Sequence, residues 1–532
     1  MIQSLHQTFE PILRLDSHAP PSPSVDQPIS SDLGVVDDST FRSIEVELLF
    51  EAVNETSTTI GAAVLMRSLR DPLRDIDVLK AKQGALLELD ERPEILEGLK
   101  TLIKRAKRHE KSFYELLYGS FMGMFTSKAH DLELEGYGYS TYIEGNQFLK
   151  DLVDGANALP RPSNPYLEAL IDDIKALESS RAYQLAKGPC YRAERGMITA
   201  SEKRWWTPAL RFNPSLFKPI GLLVFISGLF IAGQFVPLLL DMIASAFWLF
   251  LLPVGFLYIP MVGSFDRDGC IYPLRDIFKA SPEIHRAVDA LGLLDELFSM
   301  RQWRTSFGHP AVLPSFLDEP CHQIKVTGVR NPILAKGQRD YVGNAIDLTH
   351  KRLTLITGPN SGGKTAFCKT LAQTQLLAQI GGYVPAESAA MTVADHIYYQ
   401  APEISQLADG EGRFGTELRR TKAIFLAATP KSLVIMDELS EGTTHEEKIE
   451  ISKTILDGFS KKGNSTLLIT HNHALVDQYQ KNPLAMGQQV EFKDDQPTYR
   501  LVEGISRVSH AQRVAEKIGF GKADIDRHLK GG

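Results

Sequence analysis

The octet Gly358-Pro359-Asn360-Ser361-Gly362-Gly363-Lys364-Thr365 stands between an apolar run, LTLIT at 353–357, and a helix-forming run, AFCKTLAQTQLLAQI. It fits G-x-x-x-x-G-K-[ST], and a strand before with a helix after is the context that makes this pattern a phosphate loop. Glycines let backbone N–H groups close around phosphates at a helix N-terminus. In such a loop Lys364 reaches the β- and γ-phosphates of ATP and the Thr365 hydroxyl ligates Mg²⁺. Downstream, SLVIMDEL is an apolar run ending in Asp437-Glu438. Asp437 is placed to hold the magnesium shell, and Glu438 to polarise an attacking water. A third run, STLLITHN, ends in Thr470-His471, where a histidine can sense the γ-phosphate. Strands alternating with helices imply a βαβ-type P-loop ATPase domain with a largely parallel sheet over 324–532.

Working outward, 532 residues exceed what one core supports. With 58 Lys+Arg against 65 Asp+Glu the net charge is -7, so no global basic field advertises nucleic acid and any DNA contact must be local. Hydrophobic content of 43% and charged content of 23% exclude a largely disordered or collagenous chain. Cys190, Cys270, Cys321 and Cys368 contain no C-x-x-C pair, which argues against a zinc site or a disulfide framework. Residues 1–40, rich in Pro and Ser from Asp16 onward, read as a disordered arm, and the start lacks the pattern of a secretory signal.

From 41 to 205 apolar residues recur at three- and four-residue spacing, which predicts a helical domain. Within it KTLIKRAKRHEK, 100–111, carries six basic residues against one acidic, either a phosphate-tracking face or a solvated one. Residues 219–265 hold a single charge, Asp241, flanked by uncharged runs of 22 and 24 residues. Each exceeds the roughly 20 residues that cross a bilayer, so two transmembrane helices are expected within a juxtamembrane and hairpin segment, 206–268. Lys203, Arg204, Arg211, Lys218, Trp205 and Trp206 before them predict that both large halves face the cytoplasm. A buried helical pair is the alternative, and residues 269–323 read as a helical return.

The motifs TGPNSGGKT, IGGYVPAESA, SLVIMDELSEGTT, ITHN and YRLVEGISRVSHAQRVAEKIGF, in this order, resemble the MutS family of DNA mismatch repair ATPases, a branch of the ABC-type ATPases. Upstream, ETSTTIGAAVLMRSLRDPLRDIDVLKAKQGALLEL looks like the start of that family's helical lever domain. The fold so implied is an α/β P-loop ATPase domain of ABC type plus an all-α lever or core domain, interrupted by the transmembrane hairpin. The resemblance implies an ATP- and Mg²⁺-dependent homodimer whose two sites each borrow a loop from the partner, with DNA held through its phosphates. Tyr341 in YVGNAIDL matches the position that stacks on adenine, and Gly412 in GRFGTELRR stands where the family's trans-acting serine is expected. The sole F-x-E, Phe113-Tyr114-Glu115, falls inside a helical pattern and reads as packing, so mismatch reading in the family's manner is not expected. The reading is a membrane-tethered, DNA-binding ATPase of this kind. A nucleotide-gated membrane scaffold and an ABC-like transport or remodelling ATPase are the alternatives, with other protein partners unspecified.

Overall fold

A computed structural model describes residues 34–121, 135–214, 260–359, 362–402, 412–439, 445–493 and 496–505, with a few isolated positions elsewhere. The chain divides into two compact units. One comprises Thr56–Val64 and the described part of Glu88–Glu296; the other comprises the described parts of Ala19–Glu55, Leu65–Leu87 and Leu297–Gly532.

The first unit is built on two long helices, Pro93–Tyr118 and Tyr139–Asn157. Proline at the first position of Pro93–Tyr118 costs no hydrogen bond, because that N–H has no intrahelical acceptor. Leu99, Leu102, Ile103, Ala106, Phe113, Leu116 and Leu117 form its buried stripe. The helices run antiparallel: Phe113 stacks on Phe148 at 4.7 Å, and a Cβ at Gly145 or Gly155 would fall 2.9 Å from Leu116 or 2.3 Å from Leu102. Phe113 is therefore packing, as its helical context suggests. Two buried carboxylates hold the start of the helix that begins at Thr59. Glu110 accepts from the Thr59 N–H at 3.0 Å, and Asp295 accepts from Thr58 N–H and hydroxyl, both at 2.7 Å.

The expected all-α character needs correction, because this unit also holds a three-stranded antiparallel sheet in the order Gly196–Thr199, Cys190–Ala193, Ala209–Phe212. A tight turn with Gly196 at φ 117 reverses the chain between the first two strands.

The transmembrane hairpin is also corrected. Among the described residues no helix is long and apolar enough to cross a membrane. Most of 219–265 lies outside the described residues, but its last six residues do not behave as the end of a span. Residues 260–266 are helical and continue through Arg267–Ile271 into the helix Tyr272–Ala280. A Cβ on Gly263 would meet the Tyr137 ring at 2.7 Å, and Tyr139 donates its hydroxyl to buried Asp266 at 2.7 Å. The apolar run thus ends inside the helical unit, held there by a polar contact. The multi-pass membrane placement with cytoplasmic halves falls with the hairpin.

The second unit contains a six-stranded sheet in the order Gln496–Glu503, Ala485–Lys493, Leu353–Thr357, Ser465–Ile469, Leu433–Asp437, Ile397–Gln400. All its pairings are parallel except that between the first two. The strands at 353–357, 433–437 and 465–469 are short and almost wholly buried, as parallel strands covered on both faces must be. A smaller sheet follows the order Ser315–Leu317, Ser388–Thr392, Ile324–Val329, Asn344–Asp347. Part of the stretch expected as a loose arm is ordered here: Val35 is fully buried and Val36 bridges Ile397 in parallel. A short apolar Val-Val pair, too brief to stand out beside Pro-rich sequence, finds an open sheet edge.

The helix Lys364–Gln379 is buried nearly all round despite four polar residues, Gln373, Thr374, Gln375 and Gln379, in its second half. Each glutamine is satisfied: Gln373 donates to Ile44 O, Gln375 to Thr392 O and Gln379 to Ala394 O, at 2.7, 2.9 and 2.9 Å. Behind Gln375 lies His322, fully buried, with Nε2 3.4 Å from the Gln375 side-chain oxygen and Nδ1 without a partner. Burial holds this imidazole down to about 4, against the opposing pulls of Gln375 and Asp395. The unfolded chain takes up the proton near 6.5 and the folded one only near 4. Stability from this group is therefore complete above pH 6.5 and is lost as pH falls through that window, at up to about 1.4 kcal/mol per pH unit. Melting temperatures measured from pH 7 to 4.5 are expected to drop across the window in the wild type and less steeply in His322→Gln; parallel curves would contradict this.

Candidate nucleotide site

Three strands end side by side, Asp437 beside Ile469 and Ile469 beside Ile356. The loops that leave those ends carry, respectively, Glu438, His471 and the phosphate loop, so functional groups scattered over more than a hundred residues of chain meet at the carboxyl edge of one sheet. Backbone bonds lock the edge: Glu438 N donates to Ile469 O and Thr470 N to Ile356 O, both at 3.0 Å.

Gly358 at φ 128 leaves the strand and Gly363 at φ 83 starts the helix, both in backbone conformations that glycine adopts without strain. A Cβ on Gly362 would lie 2.7 Å from Val490, so this position must also be glycine for close packing. Lys364 is 2% exposed and donates to Gly358 O at 2.7 Å and Pro359 O at 2.8 Å. Burial pulls its ammonium down to about 8, while Asp437 acts in the opposite sense. Asn360 and Ser361 lie outside the described residues.

Thr365 opens that helix, and its hydroxyl donates to Asp437 Oδ2 at 2.8 Å. A hydroxyl and a carboxylate adjacent at the loop suit Mg²⁺, which takes one or two protein oxygens and fills its remaining positions with phosphate and water. Among the described residues no group of three His, Cys, Asp or Glu side chains could hold a metal. Tyr399, fully buried on the strand at 397–400, points its hydroxyl at the same oxygen of Asp437, 3.4 Å away. Burial first, and then the nearby Cys368 and Asp437, push this phenol well above its ordinary range. Cys368, one helical turn beyond Lys364, is buried and its thiol is likewise pushed up by burial.

Glu438 adopts φ 63, a left-handed conformation uncommon outside glycine. Its Oε1 lies 3.5 Å from His471 Nε2, with the histidine side chain 45% exposed and the glutamate 20%. The acid is thus fixed in place beside a histidine that reaches solvent.

Tyr341 lies in the loop before the strand Asn344–Asp347, and burial pushes its phenol up. Gly412 begins the helix Gly412–Ala427; the Gly-rich residues 403–411 before it lie outside the described residues. An aromatic residue that sequence reasoning missed also reaches the loop. Tyr499, at φ 60 and 55% exposed, places its ring 3.6 Å from where a Cβ on Gly363 would be. The Asn344 side chain clamps it, donating to Tyr499 O at 3.0 Å and accepting from Leu501 N at 2.8 Å. No motif or periodicity in the sequence links the two segments, since Asn344 and Tyr499 lie 155 residues apart.

Residues 354–529 match the family model of MutS domain V. This part of the chain is similar to MutS domain V. The DNA mismatch repair protein msh3 of Aspergillus niger is 32% identical over 268 residues, covering 48% of this chain and 24% of that protein. The DNA mismatch repair protein MutS of a Thermotoga species (strain RQ2) is 28% identical over 264 residues, covering 48% of this chain and 33% of the relative. The matches support MutS-family membership, and the chain spans about a quarter to a third of the length of these relatives. The domain V match begins at Thr354, inside the strand leading to the phosphate loop, and takes in Lys364, Asp437, Glu438 and His471.

Proposed function

We propose that this chain is a Mg²⁺-dependent ATP hydrolase of the MutS type that works as a nucleotide-driven homodimer on DNA. The observation that carries the reading is the 2.8 Å contact between Thr365 and Asp437, with Lys364 at the loop and Glu438 at the next position of the chain. Lys364 leaves the loop carbonyls for the phosphates, Thr365 and Asp437 hold the metal, and the backbone of Gly358, Pro359, Asn360, Ser361, Gly362 and Gly363 encloses the phosphate chain. Magnesium, when bound, neutralises charge that develops on the phosphates. Glu438 orients and polarises the attacking water, and His471 at 3.5 Å ties that acid to the γ-phosphate position. Tyr341 stacks on the base, and Gly412 approaches the partner's nucleotide through backbone N–H groups. A Gly412→Trp chain that retained full activity and nucleotide-driven assembly would argue against that last role.

For DNA the candidate surface is the outer face of Pro93–Tyr118, where Lys104, Arg105, Lys107 and Arg108 are exposed opposite the buried stripe. Among the described residues no carboxylate lies in ion-pair range of Lys104, Arg105 or Arg108, which separates them from Lys100, paired with Glu97 at 3.4 Å. Cations four residues apart on a helix stand about 6 Å apart along its axis, a spacing that can follow a phosphate backbone. Duplex binding is expected to weaken with salt by a slope of roughly 0.9 per phosphate neutralised, and to discriminate little between mismatched and perfect duplexes. Replacing all four cations with Gln should make the slope shallower by about 3 to 4 and weaken binding on every sequence alike. Absence of binding at low salt would instead favour a nucleotide-gated scaffold, and a strong mismatch preference would place base reading elsewhere in the chain.

A further inference from the structure

We infer that Tyr399 is a positioning residue for Asp437, held in place by the chain segment 35–45. This rests on the ATPase reading above and assigns roles to residues outside its motifs. Two hydroxyls converge on one carboxylate oxygen, Asp437 Oδ2: that of Thr365 at 2.8 Å and that of Tyr399 at 3.4 Å. With both on Oδ2, rotation of the carboxylate is restricted, and a metal ligand that cannot swing presents its oxygens in one arrangement.

Tyr399 is in turn fixed by residues far away in sequence. Its N–H donates to the hydroxyl of Thr40, fully buried, at 3.0 Å. Two residues earlier on the same strand, Ile397 N donates to Val35 O at 2.8 Å. Asp37 pins the segment with both oxygens, one accepting from Thr40 N at 2.8 Å and capping the helix Asp38–Ser43, the other accepting from Arg420 at 2.7 Å. That ion pair is largely buried, the side chains being 7% and 15% exposed, and Arg420 lies on the helix that Gly412 begins. The far end of the segment grips the phosphate-loop helix, through Glu45 to Lys369 at 2.8 Å and Ile44 O to Gln373 at 2.7 Å. Lys369 lies four residues beyond Thr365, so one short segment holds both the helix that supplies the metal-binding hydroxyl and the strand that steadies the metal-binding carboxylate.

The test is binding of a fluorescent mant-ATP analogue to the full chain, titrated with MgCl₂ and repeated in EDTA. Tyr399→Phe keeps the buried ring and removes only the hydroxyl. The metal-free affinity should stay as in the wild type, while the MgCl₂ concentration for half-maximal binding rises roughly three- to tenfold, as fits one modest hydrogen bond to a charged group. Thr40→Val should shift it in the same direction and Thr40→Ser should restore it. A lowered melting temperature with an unchanged MgCl₂ midpoint in Tyr399→Phe would show a merely structural role and overturn the inference. Wild-type protein that binds no mant-ATP at any MgCl₂ concentration would overturn the ATPase reading itself, and this inference with it.

Discussion

Glu438→Gln is expected to bind ATP as the wild type does and to hydrolyse it roughly 10²- to 10⁴-fold more slowly, the range typical for loss of a general base. The substitution keeps the side chain's size and its place after the Leu433–Asp437 strand, so Lys364, Thr365 and Asp437 are left undisturbed. Glutamine removes the negative charge that polarises water, and with it the carboxylate that lies 3.5 Å from His471 Nε2. The backbone strain at φ 63 is the same for both residues and adds no difference in stability. Because the nucleotide stays bound, this variant is also the one that should accumulate as a dimer with ATP in sedimentation. Turnover at the wild-type rate would remove Glu438 from the mechanism and leave the carboxyl edge of the sheet without a base.

Lys364→Ala should weaken ATP binding on the order of 10- to 100-fold, the value of a charge-assisted hydrogen bond in a buried place. The ammonium now bonds two loop carbonyls, Gly358 O and Pro359 O, at 2.7 and 2.8 Å. Both acceptors lose their donor in the alanine chain, so the loop should loosen and the melting temperature should fall as well. Lys364→Arg separates charge from shape: it keeps the positive charge, but a planar guanidinium has no room in a slot where lysine is only 2% exposed. It should therefore bind ATP poorly too. Isothermal titration that found wild-type affinity in Lys364→Ala would mean that the nucleotide is held elsewhere.

How much of this could be read from the sequence depended on whether the determining contacts were local. The LTLIT, SLVIMD and STLLIT runs were legible because parallel strands buried on both faces must be continuously apolar, and each is followed at once by its functional group. The long apolar run at 219–265 misled for the same reason: continuous hydrophobicity marks burial without saying in what. Its described end, beside Tyr137 and Asp266, is part of a helical unit. The antiparallel sheet at 190–212 was hidden because strands of four residues are too short to establish a period. Tyr399 and the segment 35–45 were out of reach altogether. Their contacts join residues more than 350 positions apart, and no periodicity records them.

The most direct test of the central claim is release of inorganic phosphate from ATP by the purified full chain, with Mg²⁺ and with EDTA. The proposed site predicts phosphate release that requires Mg²⁺, falls at least about 10²-fold in Glu438→Gln at saturating ATP, and falls in Lys364→Ala at ATP concentrations that do not saturate it. Release at the wild-type rate in EDTA or in those variants, or no release above background from the wild type with Mg²⁺, would contradict it.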